Sequence, residues 1–102
     1  MKTIGTFKQD GERYTGTINI LNFSGAVTIE PVTEKNSEGS PDCRIFGGRS
    51  RVEIGVAWKE RSERGNTYLS VRLDEPSFPA PVLCRLVQFE GEEGFRLIWS
   101  RS

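Results

Sequence analysis

Polar and apolar residues alternate along most of this chain. Over residues 51–60, Val52, Ile54, Val56 and Trp58 fall on one side, and Arg51, Glu53, Gly55, Ala57 and Lys59 on the other. A period of two sends successive side chains to opposite faces of a strand, so the segment predicts a strand with one buried side. Residues 68–73 repeat the pattern: Leu69, Val71 and Leu73 face in, and Tyr68, Ser70 and Arg72 face out. Between them, Arg61-Ser62-Glu63-Arg64-Gly65-Asn66 reads as a hairpin connection, because Gly and Asn accept the positive φ that such turns need.

The pattern recurs. Residues 4–9 and 13–21 flank Asp10-Gly11-Glu12, a second hairpin signal, and 26–33 is a third β-rich run. Residues 35–42 collect Asn, Ser, Gly, Pro and Asp and predict a mobile loop. A short strand at 43–46 precedes Gly47-Gly48, and strands at 82–90 and 95–100 flank Gly91-Glu92-Glu93-Gly94. No window keeps helical spacing of apolar residues without an interrupting Gly or Pro. At most one helical turn is expected near residues 76–80, limited by Pro76, Pro79 and Pro81. The expected fold is all-β: one small antiparallel barrel or sandwich of about seven or eight short strands, forming a single domain over residues 1–102. Its core should hold Phe7, Ile18, Ile20, Ile29, Val52, Ile54, Val56, Trp58, Leu69, Val71, Leu73, Leu86, Leu97 and Trp99.

Composition narrows the chemistry. Fourteen basic residues balance fourteen acidic ones, so the chain is neither a bulk-basic nucleic-acid binder nor an acidic tail protein. The charge is uneven along the chain, however. Residues 44–72 carry seven bases against three acids, a net +4, and residues 73–95 carry one base against five acids, a net −4. The start of the chain lacks the apolar run of a signal peptide, and no apolar stretch is long enough to span a membrane. A cytoplasmic protein is therefore expected, with Cys43 and Cys84 reduced and filling core positions.

Catalytic constellations are hard to find. There is no histidine, which removes the commonest general base and zinc ligand. Two cysteines 41 positions apart make neither a Cys-x-x-Cys pair nor a four-sulfur site. Gly47-Gly48-Arg49-Ser50 lacks the Lys-Ser/Thr and the following helix of a phosphate loop, and reads as a β-turn. Asp74-Glu75 and residues 90–93 are acidic without the spacing of a calcium loop. The expectation is a protein that is not an enzyme and has no cofactor and no metal. An enzyme using paired carboxylates would need two buried acids in a concave pocket.

Binding is the better prospect. On the outward face of the central hairpin Arg51, Lys59, Tyr68 and Arg72 are candidates to cluster, with Arg85 or Arg96 joining from neighbouring strands. Cations beside an exposed ring suit single-stranded nucleic acid. The plainer alternative is a solvated face with cross-strand pairs such as Glu53 with Arg72. Phe78, between prolines, either folds back as a lid on the barrel end or is displayed to a partner. An uncovered strand edge offers a third route, to a partner or a homodimer.

These stretches resemble the domain of unknown function 736 family of small bacterial proteins. The matching residues are Ile4-Gly5-Thr6-Phe7, Thr15-Gly16-Thr17-Ile18, Pro41-Asp42-Cys43-Arg44-Ile45-Phe46, Val52-Glu53-Ile54-Gly55-Val56-Ala57-Trp58-Lys59, Tyr68-Leu69-Ser70-Val71-Arg72-Leu73-Asp74, Pro76-Ser77-Phe78-Pro79-Ala80-Pro81 and Leu97-Ile98-Trp99-Ser100-Arg101. The sequence departs from the family pattern at Cys43, where Tyr is expected, and by a short insertion around residues 49–51. The resemblance implies no catalytic residues. It implies a setting on alphaproteobacterial plasmids and integrative elements, near transfer and antirestriction genes. That setting favours a small protein acting by occupancy. The leading expectation is contact with a protein, such as a host defence complex inhibited in the anti-CRISPR manner. The alternative is a single-stranded nucleic-acid accessory of transfer or plasmid maintenance.

Overall fold

The computed structural model describes residues 2–21, 23–33 and 37–99. Eight strands follow one another: β1 (Lys2–Asp10), β2 (Arg13–Ile20), β3 (Phe23–Pro31), β4 (Cys43–Gly47), β5 (Val52–Arg61), β6 (Thr67–Leu73), β7 (Val82–Val87) and β8 (Phe95–Trp99). Each pairs antiparallel with the next and β8 pairs with β1, so the expected barrel or sandwich is a closed up-and-down barrel. The turns form where the sequence supplies positive φ. Gly11, Gly65 and Gly91 take φ of 64°, 86° and 84° in the β1–β2, β5–β6 and β7–β8 connections. No helix forms among the described residues. The segment after β6 is instead a turn closed by Phe78 N–H donating to Glu75 O at 2.8 Å, with the Glu75 carboxylate accepting from the Ser77 amide at 2.9 Å and from its hydroxyl.

The barrel interior is filled by large side chains set across from glycines. Phe7 lies opposite Gly16, Ile18 opposite Gly5 and Gly25, and Ile45 and Leu73 opposite Gly55. A Cβ at Gly16 would stand 2.0 Å from the Thr6 carbonyl oxygen, and one at Gly55 2.3 Å from that of Arg72. The strands approach there more closely than any side chain allows, which is how a narrow barrel turns its corners. Ile4, Phe7, Ile18, Val27, Ile29, Ile45, Ile54, Leu69, Val71, Leu73, Leu86 and Leu97 form one buried cluster with Ala57 and the two cysteines.

Two β-bulges set the phase of this interior. Ile4 is an extra residue in β1 against β8, and Ile54 an extra residue in β5 against β4. Each is followed by glycine, and each isoleucine is buried. The Ile54 bulge corrects the predicted core. Beyond it the two faces of β5 exchange, because one added residue reverses a period of two. Ala57 is fully buried, whereas Val56 and Trp58 sit half-buried on the outer surface, and Val52 before the bulge is 47% exposed. Ile20 and Trp99 pack only partly against the core.

The two barrel ends differ. At one, Phe78 folds back and packs against the core cluster with Ile20, Phe23, Val82 and Trp99. At the other, where four hairpin connections meet, the interior opens to solvent between polar side chains. Part of the predicted mobile loop, residues 35 and 36, lies outside the described residues. The rest is fastened: Asp42 N–H donates to Ala57 O at 2.9 Å, Lys59 N–H to Asp42 Oδ2 at 2.8 Å, and Trp58 Nε1 to Gly39 O at 3.1 Å. Among the described residues no helix is long and apolar enough to cross a membrane.

Candidate binding surface

The outer face of β5–β8 carries a compact block of side chains, placed by register alone. Trp58 lies across from Ser70, which lies across from Arg85, which lies across from Ile98. To one side run Val56, Arg72 and Leu83, and to the other Glu60 and Tyr68. Tyr68 and Trp58 are therefore diagonal neighbours on adjacent strands. The Arg85 guanidinium lies 5.3 Å over the Tyr68 ring. Leu83 is 62% exposed beside it. Hydrogen bonding to Gly39 holds the Trp58 indole in one orientation, so the block is presented on rigid strands.

Most of its charge is already met. Arg72 pairs with Asp74 at 3.4 Å, Arg44 with Glu53 at 3.4 Å, and Arg96 with Glu92 through two contacts of 2.8 and 3.0 Å. Arg96 also lies 4.9 Å over the Phe89 ring. Arg85 has no carboxylate partner among the described residues. The expected Glu53–Arg72 pair does not form: the β5–β6 register sets Val56 across from Arg72, and Glu53 pairs with Arg44 instead. These exposed pairs each contribute about 0–1 kcal/mol, but they set the local field.

Of the five expected binding residues, Tyr68 stands with Arg72 on one face and borders the same cavity as Lys59, while Arg51 and Phe78 lie apart. Arg51 sits in the β4–β5 turn at a left-handed φ of 52°, where its guanidinium pairs with Glu30 at 2.5 Å and covers the Phe46 ring at 4.8 Å. That hydrogen bond, aided by Arg13 at 3.5 Å, holds the Glu30 carboxyl below its ordinary range. Lys59 stands in the inward phase of β5, at the open barrel end. Phe78 is the lid of the opposite end and is turned inward. Sequence reasoning missed Trp58 as a surface residue because it ran the alternation through position 54 without a break. The signal was present: an isolated glycine inside a strand pattern, Gly55, marks a bulge.

Nucleophile chemistry is disfavoured at the thiols. Both cysteines are unpaired and buried, in one interior row Cys43–Ala57–Val71–Cys84. Three strand spacings of about 4.8 Å separate them, too far for a disulfide. Burial pushes the Cys84 thiol up to about 12, and it also raises Cys43. Among the described residues no group of three or more His, Cys, Asp or Glu side chains converges as a metal would require. Among the described residues closure pairs β1 with β8 from Lys2 to Phe7, so the sheet is not left open there as a sandwich edge would be.

A family model described as "Protein of unknown function (DUF736)" matches residues 3–102. No curated protein and no solved structure matches the chain.

Proposed function

Since the chain belongs to the DUF736 family, whose description names no activity, we propose from its surface that it is a non-enzymatic binding module that docks a protein through the outer face of β5–β8. The observation that carries this is the cluster of Trp58, Tyr68 and Arg85 beside exposed Leu83. Tryptophan, tyrosine and arginine are the residues that dominate protein interfaces, and here they lie on rigid strands with aliphatic neighbours. The partner class we propose is a host defence complex, in keeping with the mobile-element setting that the family resemblance implies. The protein would act in the cytoplasm by occupying a surface of that complex.

Capture of purified bacterial defence complexes by the immobilised chain tests this reading. Leu83→Asp with Arg85→Glu alters two exposed side chains and should abolish capture while leaving the thermal unfolding profile intact. Capture that survives the double change would place the interface elsewhere.

A second reading, single-stranded nucleic-acid binding, gains from Trp58, which adds a second ring to Tyr68 beside Arg72 and Arg85. The ion pairs of Arg44, Arg72 and Arg96 weigh against it, since each must be given up to reach a phosphate. Salt separates the two readings. Phosphate contacts lower log affinity by about 0.7 per neutralised phosphate for each decade of salt, whereas a dry aromatic interface responds weakly.

A further inference from the structure

The open end of the barrel holds a cavity of about 420 Å³ that shares only Tyr68 with the proposed docking face. This is within the range of small-molecule sites, roughly 300–1,000 Å³. Polar surface predominates in its lining, but buried Leu69 and Leu86 and the Tyr14 and Phe95 rings also face it, the rings meeting edge to face, 5.2 Å apart at 85°. Its rim is polar and incompletely satisfied. Lys59 has no carboxylate within ion-pair distance among the described residues. Its ammonium field reaches inward and pulls the buried Cys43 thiol down, while burial, Asp42 and Glu12 push it up. Gln9 spends its amide nitrogen on Gly11 O at 3.2 Å, and Gln88 spends its own on Glu92 O at 3.1 Å and Glu93 O at 3.3 Å. Both side-chain carbonyl oxygens are left without a protein donor among the described residues.

One cation, two open acceptors and an aromatic wall specify a ligand. We infer that this mouth is a binding site for a small aromatic acid: a planar ring against Tyr14 and Phe95, a carboxylate on Lys59, and a hydroxyl or N–H donor toward Gln9 or Gln88. At the opposite end of the barrel Phe78 packs against the core cluster instead. The hydrogen bonds at the two hairpin tips hold the rim in place before a ligand arrives, which lowers the entropy lost on binding.

Amide-resolved NMR titration tests the site, with 4-hydroxyphenylacetate as probe and two analogues as controls. 4-Hydroxyphenylacetamide keeps the ring and donor but removes the charge, and phenylacetate keeps the charge but removes the donor. The expected result is saturable shifts confined to the Gln9, Lys59, Leu69 and Phe95 amides, with those of Leu83 and Arg85 unmoved. The uncharged analogue, and the probe against Lys59→Met, should each bind about tenfold more weakly or worse, as for loss of a charge-assisted hydrogen bond. Lys59→Met changes an exposed side chain and keeps its apolar stem, and its amide spectrum verifies the fold. Absence of shifts at millimolar probe would overturn the assignment. Equal binding of acid and amide would overturn it too, as would shifts centred on the outer face. Each of these outcomes is separate from capture of a protein partner.

Discussion

Single residues decide which chemistries this barrel can support. Cys84 is a reactive residue type held in a position that removes its reactivity. Its thiol faces the barrel interior, and burial lifts its titration from the ordinary 9.0 to about 12. Between those values the unfolded chain ionises the thiol and the folded chain does not, so unfolding releases a proton. Stability that is complete below pH 9 is therefore lost as the pH rises toward 12, by at most about 1.4 kcal/mol per pH unit. Urea denaturation at pH 8 and pH 10.5 should show the wild-type advantage over Cys84→Ala shrinking by about 2 kcal/mol. A difference that stays constant with pH would mean that the thiol is hydrated in the native state. The arginines make the same point about context. Arg51 and Arg72 have identical chemistry, yet one is tied down by Glu30 and Phe46 in a turn and the other borders an aromatic face.

At the scale of an element, β5 carries the main lesson. The alternation over residues 51–60 correctly marks a strand, and the hairpin to β6 is in place. The extra residue at Ile54 then reverses the two faces, so Ala57 fills the interior while Val56 and Trp58 cover the outside. Enlarging the side chain to leucine at these neighbouring positions should thus have different consequences. Ala57→Leu forces atoms into a filled interior and should destabilise by about 1–3 kcal/mol. Val56→Leu adds one carbon to a half-exposed face and should change stability by less than about 0.5 kcal/mol. Chemical denaturation of the two variants checks this, and an unbroken alternation would give the reverse order. β6 shows the contrasting case. It has no bulge, and the predicted inward set of Leu69, Val71 and Leu73 and outward pair of Tyr68 and Arg72 are where the pattern put them.

At the scale of the molecule, closure is the feature that matters most. An open sandwich would leave two strands with unpaired amides and carbonyls, an invitation to pair with other chains. Here β1 pairs with β8 from Lys2–Trp99 to Phe7–Phe95, so no open sandwich edge remains there among the described residues. Hydrogen exchange should find the β1 and β8 amides protected as fully as those of β3 and β6. Fast exchange at alternate residues of β1 would indicate an open edge. Closure also divides the surface by function. One end is plugged by Phe78, the other end is a polar mouth around Lys59, and the side wall of β5–β8 carries the aromatic and aliphatic block proposed to meet a protein.

Periodicity alone was enough to indicate an all-β chain, about seven or eight strands and its main turns, because period two and positive-φ residues are local properties that each segment carries in its own composition. Tyr68 and Arg72 as outward neighbours were legible for the same reason. The surface role of Trp58, the separation of Arg51 from Tyr68, and the inward turn of Phe78 all depended on register between strands distant in the chain. Whether the sheet closed was likewise decided by how far bulges and glycine corners bend it. Those are properties of pairing and packing in three dimensions, where one extra residue opposite a partner strand moves every side chain after it to the other side of the wall.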